Sequence, residues 1–290
     1  ADPGIRDPLW SRGLGDVYKR QMKNKLNILT LIATLAIFSA CSSEPEMTYA
    51  DLGSEEYPQK FYMEYVPCTY GENWSVENFN SDMLPEWQDL LVETNSTLVA
   101  AYGITFEGDK PEDAPGDGFW QLVWNSKADA EAGWETWEGY DKTAEWADST
   151  ADILACGSKA DTFSFDAYVR RDGNSLGTFD PTAFSSDYQQ CLYNEGQGAE
   201  ELIAVIDQFE EWIEASDSSI YAPYGYVVLA PDYEDEEVDL FWGNFNQNAE
   251  LREAGNSYFA ETGADIQEAF NEVLSCEEPV DYNSGIIPLT

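Results

Sequence analysis

A set of three marks occurs twice in this chain at one spacing, and a duplicated unit constrains the fold more than any bulk property does. Tyr102-Gly103, Phe119-Trp120 and Glu131-Ala132-Gly133 recur as Tyr224-Gly225, Phe241-Trp242 and Glu253-Ala254-Gly255, each displaced by 122 positions. A Cys-x-Tyr precedes each set, Cys68/Tyr70 and Cys191/Tyr193, displaced by 123, and a single cysteine follows each, Cys156 and Cys276. The pattern reads as a tandem duplication of one α+β unit of about 100 residues, an ordinary domain size. Residues 57–170 form the first repeat, 171–182 a linker and 183–290 the second repeat.

Hydrophobic periodicity supplies the element order. Phe61 to Cys68 alternates like a strand, and Met83, Leu84, Trp87, Leu90 and Leu91 fall at helical spacing behind a cap at Asn80 or Ser81. Strands are expected at Leu98–Phe106 and Phe119–Trp124, a helix from Lys127 to Ala155 with a weak spot at Gly139, and a strand at Thr162–Val169. The second repeat gives a strand at Asp187–Tyr193, a helix at Ala199–Ala215, strands at Ile220–Leu229 and Val238–Phe245, and a helix at Ala249–Leu274. Its closing strand, within Pro279–Leu289, is expected to be short or at an edge because Pro279 and Pro288 bracket it. The order in each half is β-α-β-β-α-β, the split βαβ arrangement of ferredoxin-like folds.

The N-terminal segment is not part of that unit. Residues 1–21 look like a translated adapter, a non-native leader, because a complete start follows at Met22. Lys23 and Lys25 precede an apolar run from Leu26 to Phe38, too short for a comfortable membrane span and suited to a signal peptide over residues 22–40. Phe38-Ser39-Ala40-Cys41 resembles a bacterial lipobox, with Phe where Leu is usual. That resemblance implies lipidation of Cys41, an acidic tether over 41–56, and a cell-envelope location, with Ser42 pointing to the outer membrane, facing the periplasm or the exterior.

Charge narrows the partners. The chain carries 14 basic and 56 acidic residues, a net charge of −42, and six of the basic residues precede Cys41. Such a field repels nucleic acid and favours cations. Aromatics at 14% argue for a folded chain rather than an acidic disordered one. Four cysteines remain after Cys41, and symmetry favours disulfides Cys68–Cys156 and Cys191–Cys276 over the other pairings. A metal site built from them lacks any CxxC spacing and any histidine.

The chain contains no histidine, which removes Ser-His-Asp and Cys-His machinery and the usual zinc and facial-triad iron sites. No glycine-rich phosphate cradle is present either. No cofactor is therefore expected, with Ca²⁺ at the acidic run Asp232-Tyr-Glu-Asp-Glu-Glu237 as the alternative. Arg170 and Arg171 read as partners of neighbouring acidic groups.

The duplicated β-α-β-β-α-β order, over about Tyr57 to Asp281, resembles the dimeric α/β-barrel superfamily, which includes antibiotic-biosynthesis-type monooxygenases, EthD-like and NIPSNAP-like proteins. The resemblance implies two sheets that face each other around a cavity. Members that bind haem through histidine are no guide to a chain without one. Tyr102, Trp120, Tyr224 and Trp242 are the candidate cavity residues between the sheets, with Tyr70 and Tyr193 at its mouth. Filling a shared core is the alternative role for the first four, and covering the disulfides for the last two. The leading functional expectation is a lipid-anchored envelope protein that binds a small molecule or a protein partner without catalysis. The alternatives are a cofactor-independent monooxygenase-like enzyme and a purely structural accessory lipoprotein. A filled interior favours the last, and an open cavity with a buried carboxylate beside a tyrosine hydroxyl favours the enzyme.

Overall fold

Along the first strand, β1 (Gln59–Tyr70), Tyr62, Glu64 and Val66 alternate with Met63 and Tyr65, and this period of two separates two cores. The computed structural model describes residues 59–235 and 237–290. The expected leader (1–21), signal peptide (22–40), lipidation at Cys41 and tether (41–56) fall on residues outside them.

After β1 come α1 (Leu84–Glu93), β2 (Ala100–Phe106), β3 (Gly118–Trp124), α2 (Lys127–Glu138), α3 (Asp141–Thr150), β4 (Leu154–Cys156) and β5 (Phe163–Arg171). The same succession follows: β6 (Phe184–Tyr193), α4 (Ala199–Ala215), β7 (Tyr224–Pro231), β8 (Leu240–Asn246), α5 (Ala249–Thr262), α6 (Ala264–Val273), β9 (Leu274–Cys276) and β10 (Val280–Ile287). Each long helix expected from periodicity is two helices. A glycine sits at each break: Gly139 ends its helix still in the right-handed helical region, with Tyr140 extended after it, and Gly263 separates the second pair. Short helical turns at Val76–Asn78 and Phe79–Met83 run into α1, so the helical stretch starts earlier than expected: the Ser75 hydroxyl, rather than Asn80 or Ser81, accepts an N–H, from Asn78.

The strands run β10-β2-β3-β1-β5-β7-β8-β6, and β10 pairs with β6 as well as β2, so the order closes on itself. The result, among the described residues, is an α+β fold with an eight-stranded antiparallel barrel and six helices of ten residues or more, β4 and β9 being short additions to β1 and β6. The closing strand is neither short nor at an edge. Pro279 and Pro288 fall just outside it, so its eight residues keep every N–H that the two ladders need.

The barrel interior is filled. Met63, Tyr65, Phe119, Phe163, Phe165, Leu229 and Tyr282 pack there, with Tyr65 edge-on to Phe165 at a centroid distance of 5.5 Å. Its few polar groups pair internally: Gln121 donates to the Tyr65 hydroxyl at 2.9 Å. Two further cores lie outside the barrel, where helices cover each half. Over the first half, Leu84, Trp87 and Leu90 of α1 and Trp146 of α3 cover Trp120. Over the second, α4 buries Leu202, Val205, Ile206, Phe209 and Ile213, one continuous apolar stripe, against Tyr226, Val228 and Trp242. Each fully buried Leu or Ile of that stripe stabilises the fold by about 1.5–3 kcal/mol.

Cys68–Cys156 and Cys191–Cys276 are disulfide-bonded, each joining the end of a long strand to the short strand paired beside it.

Candidate functional site

Two carboxylates occupy the same register in the two halves and meet different surroundings. On β1 Glu64 lies opposite Leu122 of β3, and on β6 Asp187 lies opposite Asn244 of β8. Both point to the helix side of the barrel.

Glu64 is closed off. Its side chain is 0% exposed and accepts from Trp124 Nε1 at 2.9 Å, Trp134 Nε1 at 2.6 Å and Lys159 Nζ at 2.7 Å. Gly133 lets α2 close over this group, since a Cβ there would stand 2.6 Å from the Trp124 ring. Every strong donor is aimed at the charge, which is how a buried carboxylate is tolerated. Lys159→Ala is expected to lower stability by about 2 kcal/mol, read by urea unfolding. Unchanged stability would mean that the indole N–H groups hold Glu64 unaided.

Asp187 faces space. At 122 residues beyond Trp124 and Trp134 stand Asn246 and Asn256, and no indole reaches across. The volume so vacated is part of a cavity of about 710 Å³ between the second half of the barrel and α4, α5 and α6. Trp242, Tyr224, Phe209, Phe259 and Phe270 form apolar walls, and Asp187, Asn244, Asn246 and Arg252 form a polar end. The polar end is one connected network. Tyr224 Oη and Trp242 Nε1 each donate to Asn244 Oδ1 at 2.9 Å, and Asn244 Nδ2 donates to Asp187 Oδ1 at 2.8 Å. That pattern fixes the amide of Asn244 in one orientation.

Asp187 is 4% exposed, and burial pushes its carboxyl up to about 6; the charge of Asp281 adds to this, while donation from Asn244 and the charge of Arg252 oppose it. Burial and the adjacent Asp187 charge hold the Tyr224 hydroxyl well above its ordinary pKa, so it is a neutral donor. Arg252 of α5 is itself held, by Glu107 and Asp281 at 3.0 Å each and by the Ser185 hydroxyl. A carboxylate that titrates near neutrality and a locked phenol, sharing one amide at the end of an aromatic cavity, suit proton transfer to and from a bound ligand.

The six residues expected to line a cavity between the sheets do not converge. Tyr102 points into the filled barrel, edge-on to Phe184 at 5.9 Å. Trp120, Tyr224 and Trp242 lie on the helix side instead: Trp120 packs on Trp87 at 4.9 Å, and the other two line the cavity beside Asp187. Tyr193 packs against the core under α4. Tyr70 is 36% exposed and stacks on Trp74 at 4.4 Å. The cause of the misplacement is strand alternation. In each Phe-Trp pair, Phe119 and Phe241 face the barrel interior and Trp120 and Trp242 face the helices.

The Tyr-Gly mark carries a second correction. Trp120 pairs with Gly103, whereas Trp242 pairs with Val228, three residues beyond Gly225. An odd shift exchanges the faces of a strand, which is why Tyr102 and Tyr224 are not equivalent. Asp187, Asn244 and Arg252, which complete the site, carry no motif. Their signal was the loss of tryptophan at Asn246 and Asn256.

At the acidic run, Asp232 takes the Tyr62 hydroxyl at 2.8 Å and pairs with Lys127, and Glu236 lies outside the described residues. Among the described residues no group of three His, Cys, Asp or Glu side chains could hold a metal ion. No helix of the described residues is long and apolar enough to cross a membrane.

No family model matches the chain, and neither does any curated protein. Solved structures do. A proposed monooxygenase from Lactobacillus acidophilus matches at 9% identity with a TM-score of 0.43, over 79% of this chain and 94% of that one. Chlorite dismutase from Candidatus Nitrospira defluvii in complex with imidazole matches at 10% identity and 0.46, over 79% and 92%. A proposed monooxygenase from Fusobacterium nucleatum matches at 5% and 0.43, over 79% and 93%. The neighbours are dimeric α/β-barrel folds.

Two expectations are corrected here. Non-catalytic binding is not carried forward: the barrel interior is filled, as the structural alternative expected, but an open cavity lies on the helix side, where Asp187 and the Tyr224 hydroxyl share Asn244, the buried carboxylate and tyrosine that distinguish the enzyme alternative. The expectation of no cofactor is withdrawn as well; chlorite dismutases are among the matched structures. Histidine or thiolate ligation of haem is not open to this chain, which has no histidine and whose four described cysteines are all in disulfides. The residues that the chain does place at the cavity are a carboxylate, a phenol and an amide able to exchange protons.

Proposed function

We propose that the chain is an enzyme of the monooxygenase-like kind in which Asp187 accepts a proton from a substrate bound in the second-half cavity. The observation that supports it is the relay Tyr224–Asn244–Asp187, with a carboxyl near pKa 6 open to a 710 Å³ aromatic cavity. Asn244 holds one oxygen of the carboxylate and leaves the other for the substrate. Tyr224 and Trp242 saturate the far side of that amide, so it does not rotate away. Burial among aromatic rings excludes water and keeps the base at a strength suited to neutral pH.

The wider reading is of two ferredoxin-like repeats, residues 57–170 and 183–290, in one chain. Lipid on Cys41 anchors it to the outer membrane, and nucleic acid is no partner of a surface this acidic.

The test is oxygen uptake by the soluble domain, residues 48–290, against a panel of flat aromatic substrates. Asp187-dependent turnover is expected, rising with pH through about 6 as the carboxyl ionises, and falling by about 10²–10⁴-fold in Asp187→Asn. Turnover that is unchanged in Asp187→Asn would remove the proposal.

A further inference from the structure

The charges around the cavity do not balance. Among the described residues Arg252 is the one cation of its wall, and it is already shared between Glu107 and Asp281, with Asp187 as a third carboxylate beside it. Asp187 Oδ1 takes Asn244, while its second oxygen takes no hydrogen bond among the described residues. Glu268 of α6 adds another acidic group to the lining. The remaining wall is aromatic: Trp242 and Phe270 lie edge to face at 5.4 Å, and Phe259 stands edge-on to Phe209 at 5.7 Å. Ring faces are the negative part of an aromatic quadrupole and attract cations. A buried carboxylate with a free oxygen, an uncompensated acidic wall and a box of rings therefore favour positive charge on the ligand. The field of a chain with 56 acidic and 14 basic residues draws such a ligand in and turns anions away.

We propose that this cavity takes an organic cation, a protonated nitrogen carried on a flat aromatic body, with the nitrogen paired to the free oxygen of Asp187 and the body among the rings of Trp242, Phe259 and Phe270. The proposal rests on the reading of Asp187 as the group that meets the ligand, and it adds the class of that ligand. The first-half counterpart cannot do this, since Lys159 and two indole N–H groups already occupy Glu64.

Three indoles of one shape test the charge alone: tryptamine, tryptophol and indole-3-acetate, carrying an ammonium, a hydroxyl and a carboxylate. Calorimetry on residues 48–290 at physiological salt, which screens the general field of the acidic surface, is expected to show tryptamine binding about 10- to 100-fold tighter than tryptophol. Indole-3-acetate should bind weakest. In Asp187→Asn the tryptamine advantage should vanish while tryptophol is unaffected. Equal affinities for the three, an advantage that survives Asp187→Asn, or no binding by any of them at millimolar concentration would each overturn the proposal. Charge-selective binding without Asp187-dependent turnover would remove the proton-transfer reading alone. Turnover with no charge preference would remove this proposal alone.

Discussion

Asp187→Asn is expected to stabilise the folded chain at pH 7.5 by about 3 kcal/mol while removing proton transfer. The carboxyl rises from an ordinary 3.8 to about 6 on folding, mainly because burial penalises its charge. A raised carboxyl pKa means that the fold prefers the protonated form. The stability that this preference brings is therefore present below about pH 4 and lost as pH rises through about 6. Above that, the folded chain holds an ionised group, and each tenfold weakening of the acid on folding costs about 1.4 kcal/mol. Asparagine keeps an oxygen for Asn244 Nδ2 and carries no charge, so it escapes the cost. Urea unfolding of both chains should show the gap at pH 7.5 and no gap at pH 4. Other carboxylates titrate alike in the two chains and cancel. A gap of the same size at both pH values would show that charge burial is not its cause. A functional group that costs stability is what an active site predicts, and a structural carboxylate such as Glu64, fully engaged, gives no such gain on neutralisation.

Loss of either disulfide is expected to cost up to about 4–5 kcal/mol, because each closes a long loop in the unfolded chain. The sequence separations are 88 for Cys68–Cys156 and 85 for Cys191–Cys276, so the two bridges should be nearly equal in stability. A domain of ordinary stability has only about 5–15 kcal/mol to lose. Their effects on the site should differ. Cys191 and Cys276 line the cavity, whereas Cys68 and Cys156 sit at the far half. Replacing Cys191 and Cys276 by Ala should weaken tryptamine binding as well as stability. Replacing Cys68 and Cys156 by Ala should lower stability and leave binding within about twofold, additivity being good for distant sites. Equal loss of binding in both variants would mean that the halves behave as one cooperative site.

The fold was largely legible in the sequence because its determinants are local and repeated. Alternation at Phe61–Cys68, the stripe Leu202–Val205–Ile206–Phe209–Ile213 and the symmetric cysteines each dictate an element or a bridge at short range. Closure of the barrel was not legible. It depends on β10 meeting both β2 and β6, pairings between segments far apart in the chain, and the flanking prolines concealed a long strand. The site was half legible. Tyr224 and Trp242 stood out as repeated aromatics, and both are at the cavity. Their face was not, since a shift of one residue reverses a strand and aromatics serve either core equally well. Asp187 was hidden among 56 acidic residues, and only its register opposite Asn244 separates it from them. The cavity was written in what the second half lacks: Asn256 where the first half has Trp134, and Asn246 where it has Trp124. Departure from the repeat, rather than the repeat itself, marks the site.

The central claim is that Asp187 is a buried carboxylate poised to exchange charge with a ligand. Its most direct test is a ¹³C NMR titration of the Asp187 side-chain carboxyl, assigned by comparison with Asp187→Asn, with and without saturating tryptamine. A midpoint near 6 in the free chain, moving down when the cation is bound, is the predicted result. A midpoint near 3.8 that tryptamine leaves in place would contradict it.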